Sequence, residues 1–151
     1  MNQPLIHEAT LEDLPRLTEL LAVHHGVDSD CGRSKQISDG VRFLLEHPAQ
    51  GFVFVAQKDG QVIGLISLII TISTAEGGLV LLVEDIVVAR DCRNRGFGSM
   101  LLEHTARYAR EKGFLRVTLL SQQCTETARR FFKKRGFADS EMIPMQLSIA
   151  P

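Results

Sequence analysis

The chain has 151 residues, 44% of them hydrophobic and 23% charged, which suits one ordinary globular domain and argues against disorder. Its 17 Lys plus Arg against 18 Asp plus Glu leave a formal charge of −1, so no global basic field favours nucleic acid. Three cysteines, Cys31, Cys92 and Cys124, are an odd number without C-x-x-C spacing, which argues against a disulfide framework and a zinc site and points to a reducing cytoplasm, with no metal expected.

The N-terminal stretch MNQPLIHEATLED lacks the basic head and apolar segment of a signal peptide. Leu5 and Ile6 predict a short first strand. Thr10-Leu11-Glu12-Asp13 then reads as a capping-box-like helix start, with Asp where Glu is usual, and Leu14, Leu17 and Leu21 recur at helical spacing. Pro15 is tolerated only in a first turn, which makes Asp13 a candidate cap. His24 to Lys35, HHGVDSDCGRSK, predicts a loop, and Ser38 or Asp39 a cap for a second helix carrying Val41, Leu44 and Leu45 and ending before Pro48.

Phe52 to Gln57 and Val62 to Ile70 are β-rich runs joined through Asp59-Gly60, a strong hairpin signal. The longest apolar run, Val62 to Ile72, is interrupted by Gly64, Ser67 and Thr71 and falls short of the roughly 18 to 20 residues a bilayer requires, so no membrane partner is expected. After the Glu76-Gly77-Gly78 turn, Leu79 to Ala89 predicts a third strand of the same meander. Strict alternation would send Glu84 to one face of it and Asp85 to the other. Gly96 to Lys112 predicts a helix with Phe97, Leu101 and Tyr108 on one stripe and a Glu103 to Arg107 pair outside. Gly113 stops it. Leu115 to Leu120 predicts a strand, Thr125 to Arg135 a helix stopped by Gly136, and Met142 to Ile149 a last strand. Hairpins first and a strand-helix-strand crossover later imply a mixed sheet in an α/β (α+β) chain.

The chemistry concentrates between Leu79 and Leu102, LVLLVEDIVVARDCRNRGFGSMLL. A strand broken by two carboxylates runs into an Arg-rich, Gly-rich turn that opens a helix. Amides at a helix start are unpaired and carry partial positive charge, and glycines let an anion approach them. The cluster Arg90, Arg93 and Arg95 is too small for a DNA-binding face and sized for a pyrophosphate. A nicotinamide dinucleotide reading is poorly supported, because the turn lacks the third Gly of G-x-G-x-x-G and follows a meander rather than a first βαβ unit.

Arg93-Asn94-Arg95-Gly96-Phe97-Gly98 resembles the (Gln/Arg)-x-x-Gly-x-(Gly/Ala) signature of the GNAT superfamily of N-acetyltransferases. The preceding strand, the following helix and the later Ala128-Arg129-Arg130-Phe131-Phe132-Lys133-Lys134-Arg135-Gly136-Phe137 resemble the family's segments in order, so the resemblance covers essentially the whole chain. It implies a single-domain GNAT-like fold over residues 1–151, with a central mixed sheet flanked by helices on both faces. The implied activity is direct transfer of acetyl from acetyl-coenzyme A, as co-substrate, to a primary amine of a small molecule or peptide, and no nucleic acid partner.

The resemblance also assigns roles. Ile86, Val87 and Val88 would offer backbone groups to the pantetheine arm, through a splay between neighbouring strands. Main-chain amides of Arg93, Asn94, Arg95, Gly96, Phe97, Gly98 and Ser99 would cradle the pyrophosphate, with Arg93 adding charge. Glu84 corresponds to the residue that accepts the amine proton in spermidine/spermine N-acetyltransferase; Asp85 reads as structural. An amine must lose its proton before attack, and at pH 7 most amines carry it. Two positions depart from the family pattern. Phe132 stands where many members have a Tyr that protonates the leaving thiolate, which leaves water, Ser121 or Cys124 as donors. Thr125 stands where an Asn often contacts the cofactor. His24, His25, Asp28 and Asp30 lie in the region that usually shapes the acceptor site. The missing Tyr also motivates an alternative, a non-catalytic acyl-coenzyme A sensor with the same fold. Dimers are common in the family, and a strand after Phe137 offers an edge for pairing a second copy.

Overall fold

Alternating apolar residues build a hairpin-rich sheet first. In the computed structural model, which describes residues 3–28, 32–121 and 125–150, β1 (Leu5–Glu8), β2 (Gly51–Lys58), β3 (Gln61–Ser73) and β4 (Gly78–Val88) pair antiparallel in that order. The short β5 (Val117–Leu119) joins β4 in parallel, so the five-stranded sheet is mixed. The β2–β3 turn takes the two left-handed residues an Asp-Gly hairpin calls for, Asp59 at φ 50° and Gly60 at φ 80°.

Helices cover both faces. α1 (Leu14–His24) and α2 (Gly32–Glu46) bury Leu17, Leu21 and Val41 against Val53, Val55, Leu65 and Val87. The residues between these on β2 point the other way: Phe52 and Phe54 meet Tyr108 of α3 (Phe97–Lys112) at ring separations of 5.1 and 5.2 Å. A short 3-10 turn, Leu11–Asp13, precedes α1, and the Asp13 carboxylate accepts from the Thr10 amide at 2.9 Å, so Asp13 ties off the 3-10 turn and also stands at the N-cap of α1.

Several expectations change. α2 starts at Gly32, not near Ser38, so Arg33 to Lys35 are helical; Lys35 pairs one turn on with Asp39 at 2.7 Å, which makes Asp39 an outer-face partner instead of a cap. Arg107 does not reach for Glu103 but directs its guanidinium to His104 Nδ1 at 3.1 Å. β5 is three residues where six were expected.

Residues divide into two units, Met1–Ser121, which holds the sheet and α1 to α3, and Gln122–Pro151. In the second unit Thr125 caps α4 (Glu126–Lys133), its hydroxyl accepting from the Ala128 amide at 3.1 Å. Gly136 closes the helix at φ 91°, and Arg129 and Lys133 both reach Asp139, at 2.8 and 2.9 Å. Among the described residues the expected last strand, Met142 to Ile149, joins no ladder. Pro144 removes one donor from the segment, and its apolar side chains stay exposed, Met145 by 91%.

One packing constraint gives a stability prediction. A Cβ on Gly51, at the start of β2, would overlap the Leu68 carbonyl oxygen, a backbone atom that cannot swing aside, and Leu44 Cδ1. Gly51→Ala is expected to lower stability by about 1–3 kcal/mol, read as a reduced urea midpoint at unchanged m-value.

Candidate functional site

β4 carries the residues that matter, and its pairing is irregular where they lie. On β3, Ser67 faces Asp85, but the next residue, Leu68, faces Val83, so Glu84 is the extra residue of a β-bulge. A bulge cancels the alternation of side chains. Glu84 and Asp85 therefore line the same cavity, and the expectation that they face opposite ways is overturned.

The bulge also marks where β4 loses its second neighbour. β5 pairs only with Leu81, Leu82 and Val83, so among the described residues the outer edge from Glu84 through Ile86, Val87 and Val88 has no partner strand. One of its acceptors is already engaged: Arg93 folds back and donates from Nε to the Val88 carbonyl at 3.0 Å. Val87 is buried in the core, while Ile86 and Val88 are half-buried.

Beyond Val88 the chain makes a 3-10 turn, Arg90–Cys92, and then two left-handed residues, Asn94 at φ 61° and Gly96 at φ 87°. Gly96 occupies the N-cap of α3 without a capping side chain. The first turn of α3 thus presents main-chain amides and the positive end of the helix dipole, as an anion site requires. Arg93, Asn94 and Arg95 are exposed around it; Phe97 is buried and anchors the helix, and Gly98 and Ser99 follow half-buried in the same turn.

Asp85 is held from two sides. Its Oδ2 accepts from Ser67 Oγ at 3.3 Å and its amide donates to the same oxygen at 3.0 Å. Its Oδ1 lies 3.4 Å from His25 Nε2 at the C-terminal end of α1. His24 stands edge-on to His25, with 5.0 Å between centroids. Although no metal spacing is visible in the sequence, donor atoms of His24, His25 and Asp85 gather within 4.8 Å, looser than a bound divalent ion would draw them. Partial burial, then the neighbouring His25 and Arg93, lower the His24 pKa from 6.5, with Asp85 opposing. Burial and Arg107 lower that of His104 on α3.

These shifts carry a sign. The folded chain holds both protons less tightly than the unfolded chain, so the stability tied to these groups is complete above pH 6.5 and is lost as the pH falls below it. The urea midpoint is expected to decline between about pH 7 and pH 5.5, and a His24→Gln, His104→Gln double variant to show a flatter profile.

The structure brings Glu84, Asp85, His25 and the β4 edge together within one unit. Asp28 is exposed and does not line the cavity; Asp30, Cys31 and Cys124 lie outside the described residues. Tyr108 sits in the aromatic cluster on the α3 face. In the second unit the Thr125 hydroxyl is spent on its helix cap, and Phe132 packs edge-on to Phe131 and Phe137 at 5.2 and 5.9 Å, a ring with no proton to give. Sequence reasoning missed Ser67, the His25 to Asp85 contact and the cavity walls. All three depend on which residues of separate elements come to face each other.

A mixed five-stranded sheet with helices on both faces and a glycine-rich start to α3 is the fold that the GNAT resemblance implies. Residues 14–137 match the model of the "Acetyltransferase (GNAT) family", and the chain belongs to that family. It is 28% identical over 141 residues to an uncharacterized N-acetyltransferase of Methanocaldococcus jannaschii, covering 91% of this chain and 62% of that protein. It is 28% identical over 135 residues to camello of Xenopus laevis, a probable N-acetyltransferase, covering 84% and 59%. The chain thus spans about three fifths of the length of these relatives. Among solved structures, a possible acetyltransferase from Clostridium difficile superimposes with a TM-score of 0.85 at 17% identity, over 99% of this chain and all of that one, and shows the fold. An acetyltransferase of Trypanosoma brucei is 26% identical with a TM-score of 0.74, over 97% of this chain and all of that one. Among the described residues no helix is long and apolar enough to cross a membrane.

Proposed function

We propose that this protein is an acetyl-coenzyme A dependent N-acetyltransferase that acts as a single domain and moves the acetyl group directly to a primary amine. The observation that carries the reading is the bulge at Glu84: it sets this exposed residue on the lining of a cavity at the point where β5 stops pairing with β4. A structural neighbour was solved with acetyl-coenzyme A, and another is an aminoglycoside acetyltransferase in complex with sisomicin, so the fold accommodates this donor and cationic amines.

In the proposed reaction the pyrophosphate lies on the amides and charges of Arg93 to Ser99, and the pantetheine arm pairs with the edge of Ile86 to Val88, where the Val88 carbonyl already accepts from Arg93. Glu84 takes a proton from the ammonium, directly or through a water. The neutral nitrogen attacks the thioester carbonyl, a C–N bond forms, the nitrogen of the tetrahedral intermediate gives up its second proton to water, and the C–S bond breaks as coenzyme A departs. Backbone amides near Val87 stabilise the developing oxyanion. Phe132 supplies no proton, so the thiolate is protonated by water, to which a thiol of moderate pKa is well suited.

The test is a thiol-release assay with acetyl-coenzyme A and a broad amine panel, with mass spectrometry of the products. An acetylated amine is the expected result. Tight acetyl-coenzyme A binding with no transfer to any amine would overturn the enzymatic reading in favour of a sensor, the alternative that Phe132 motivates.

A further inference from the structure

Resting on the transfer reading above, we propose that the acceptor is a small primary amine with an apolar body, its ammonium against Glu84 and Asp85 and its hydrocarbon between α2 and the sheet. The cavity that these carboxylates line measures about 370 Å³, near the small end of ligand pockets, with room for one ring on a short chain. Its walls are Ile37, Val41 and Leu44 of α2 against Val53, Leu65 and Ile69 of the sheet. Val53 and Leu65 are 2% and 1% exposed, so the sheet side of the cavity is hydrocarbon closed off from solvent. Its charge is carried by Glu84 and Asp85, which stand with Ser67 and His25; Gln36 and Gln50 are the remaining polar side chains of the lining, and no Lys or Arg is among the described residues there.

Three consequences select the class. A primary ammonium meets two carboxylates, one of them preorganised by Ser67 and His25. A second charge on the ligand would be driven against hydrocarbon and left unpaired, which disfavours polyamines and aminoglycosides. A carboxylate on the ligand, as in a free amino acid, would face two carboxylates with no Lys or Arg in the lining to meet it.

Binding and transfer are measured separately. Calorimetry in the presence of coenzyme A is run with 2-phenylethylamine, butylamine, hexylamine, spermidine, kanamycin and phenylalanine, and thiol release with acetyl-coenzyme A on the same panel. Phenylethylamine is expected to bind at least ~30-fold more tightly than spermidine, kanamycin or phenylalanine, and affinity to rise about fourfold per methylene from butylamine to hexylamine. A cavity-filling variant supplies the control. A Cβ at Gly40 of α2, which also lines the cavity, would meet nothing within 4 Å, so Gly40→Leu is expected to keep its Tm and its coenzyme A affinity while losing about tenfold or more in phenylethylamine affinity.

Spermidine or phenylalanine binding as tightly as phenylethylamine would overturn the proposal, as would an unchanged phenylethylamine affinity in Gly40→Leu. So would a preference for octanoyl- over acetyl-coenzyme A with indifference to the amine's body, which would assign the cavity to the acyl chain. Selective binding of the apolar amine without transfer supports the pocket and overturns only the acetyl-transfer reading.

Discussion

Glu84→Gln is expected to reduce kcat by about 10²–10⁴-fold at neutral pH, the range a positioned general base contributes, with acetyl-coenzyme A affinity unchanged. Gln keeps the shape and the hydrogen-bonding reach of the side chain but cannot accept a proton. Glu84 is exposed on its bulge, so the substitution leaves no buried group stranded, and the fold is expected to hold. The loss should shrink as the pH approaches the amine's own pKa, because an acceptor that is already neutral does not need the base. A rate profile from about pH 7 to pH 10 for both proteins reads this directly. Turnover equal to the unmodified protein at pH 7 would remove Glu84 from the role and leave the Asp85 to His25 pair, 3.4 Å apart, as the remaining acceptors at that end of the cavity.

Gly96→Val is expected to weaken acetyl-coenzyme A binding by at least ~10-fold and to change kcat at saturation far less. Gly96 stands at φ 87°, a conformation that a β-branched residue reaches only with strain, of order 1–2 kcal/mol. Space itself is not the obstacle in the unliganded protein, since a Cβ there would touch nothing within 4 Å. The same open space is where an anion would approach the first amides of α3, so a branched side chain would stand in its way. Calorimetric titration with coenzyme A, beside a melting curve, separates the two effects: a modest fall in Tm with a large fall in affinity is the expected pair. An affinity that changes only as much as the stability would argue that the turn is merely a turn.

Much of the fold was legible because it is written in local chemistry. The Asp59-Gly60 hairpin, the glycine stop at Gly113, and the apolar period of α1 and α3 each depend on residues a few positions apart. The glycine turn was legible for the same reason, since two positive-φ residues and a helix start are all specified within Arg93 to Gly98. Where elements begin was harder. Gly32 gives no start signal, yet α2 begins there, and the weak propensity of Gly32 and Ser34 is overridden in the folded chain. Met142 to Ile149 failed in the other direction: its residues favour a strand, but a strand exists only with a partner to bond, and Pro144 takes away one of its own donors.

The sequence by itself determined that two adjacent carboxylates sit in an apolar strand just before a glycine-rich helix start, because both features lie within one continuous stretch. Only the tertiary structure decided where those carboxylates point. Alternation along a strand assigns them to opposite faces, and it is the offset between β3 and β4, Ser67 against Asp85 but Leu68 against Val83, that brings both to one cavity. That offset is a property of two strands in register, and the engagement of Asp85 by Ser67, 18 positions away, and by His25, at the end of α1, is likewise a property of separate elements brought together. A register is set by the packing of whole faces.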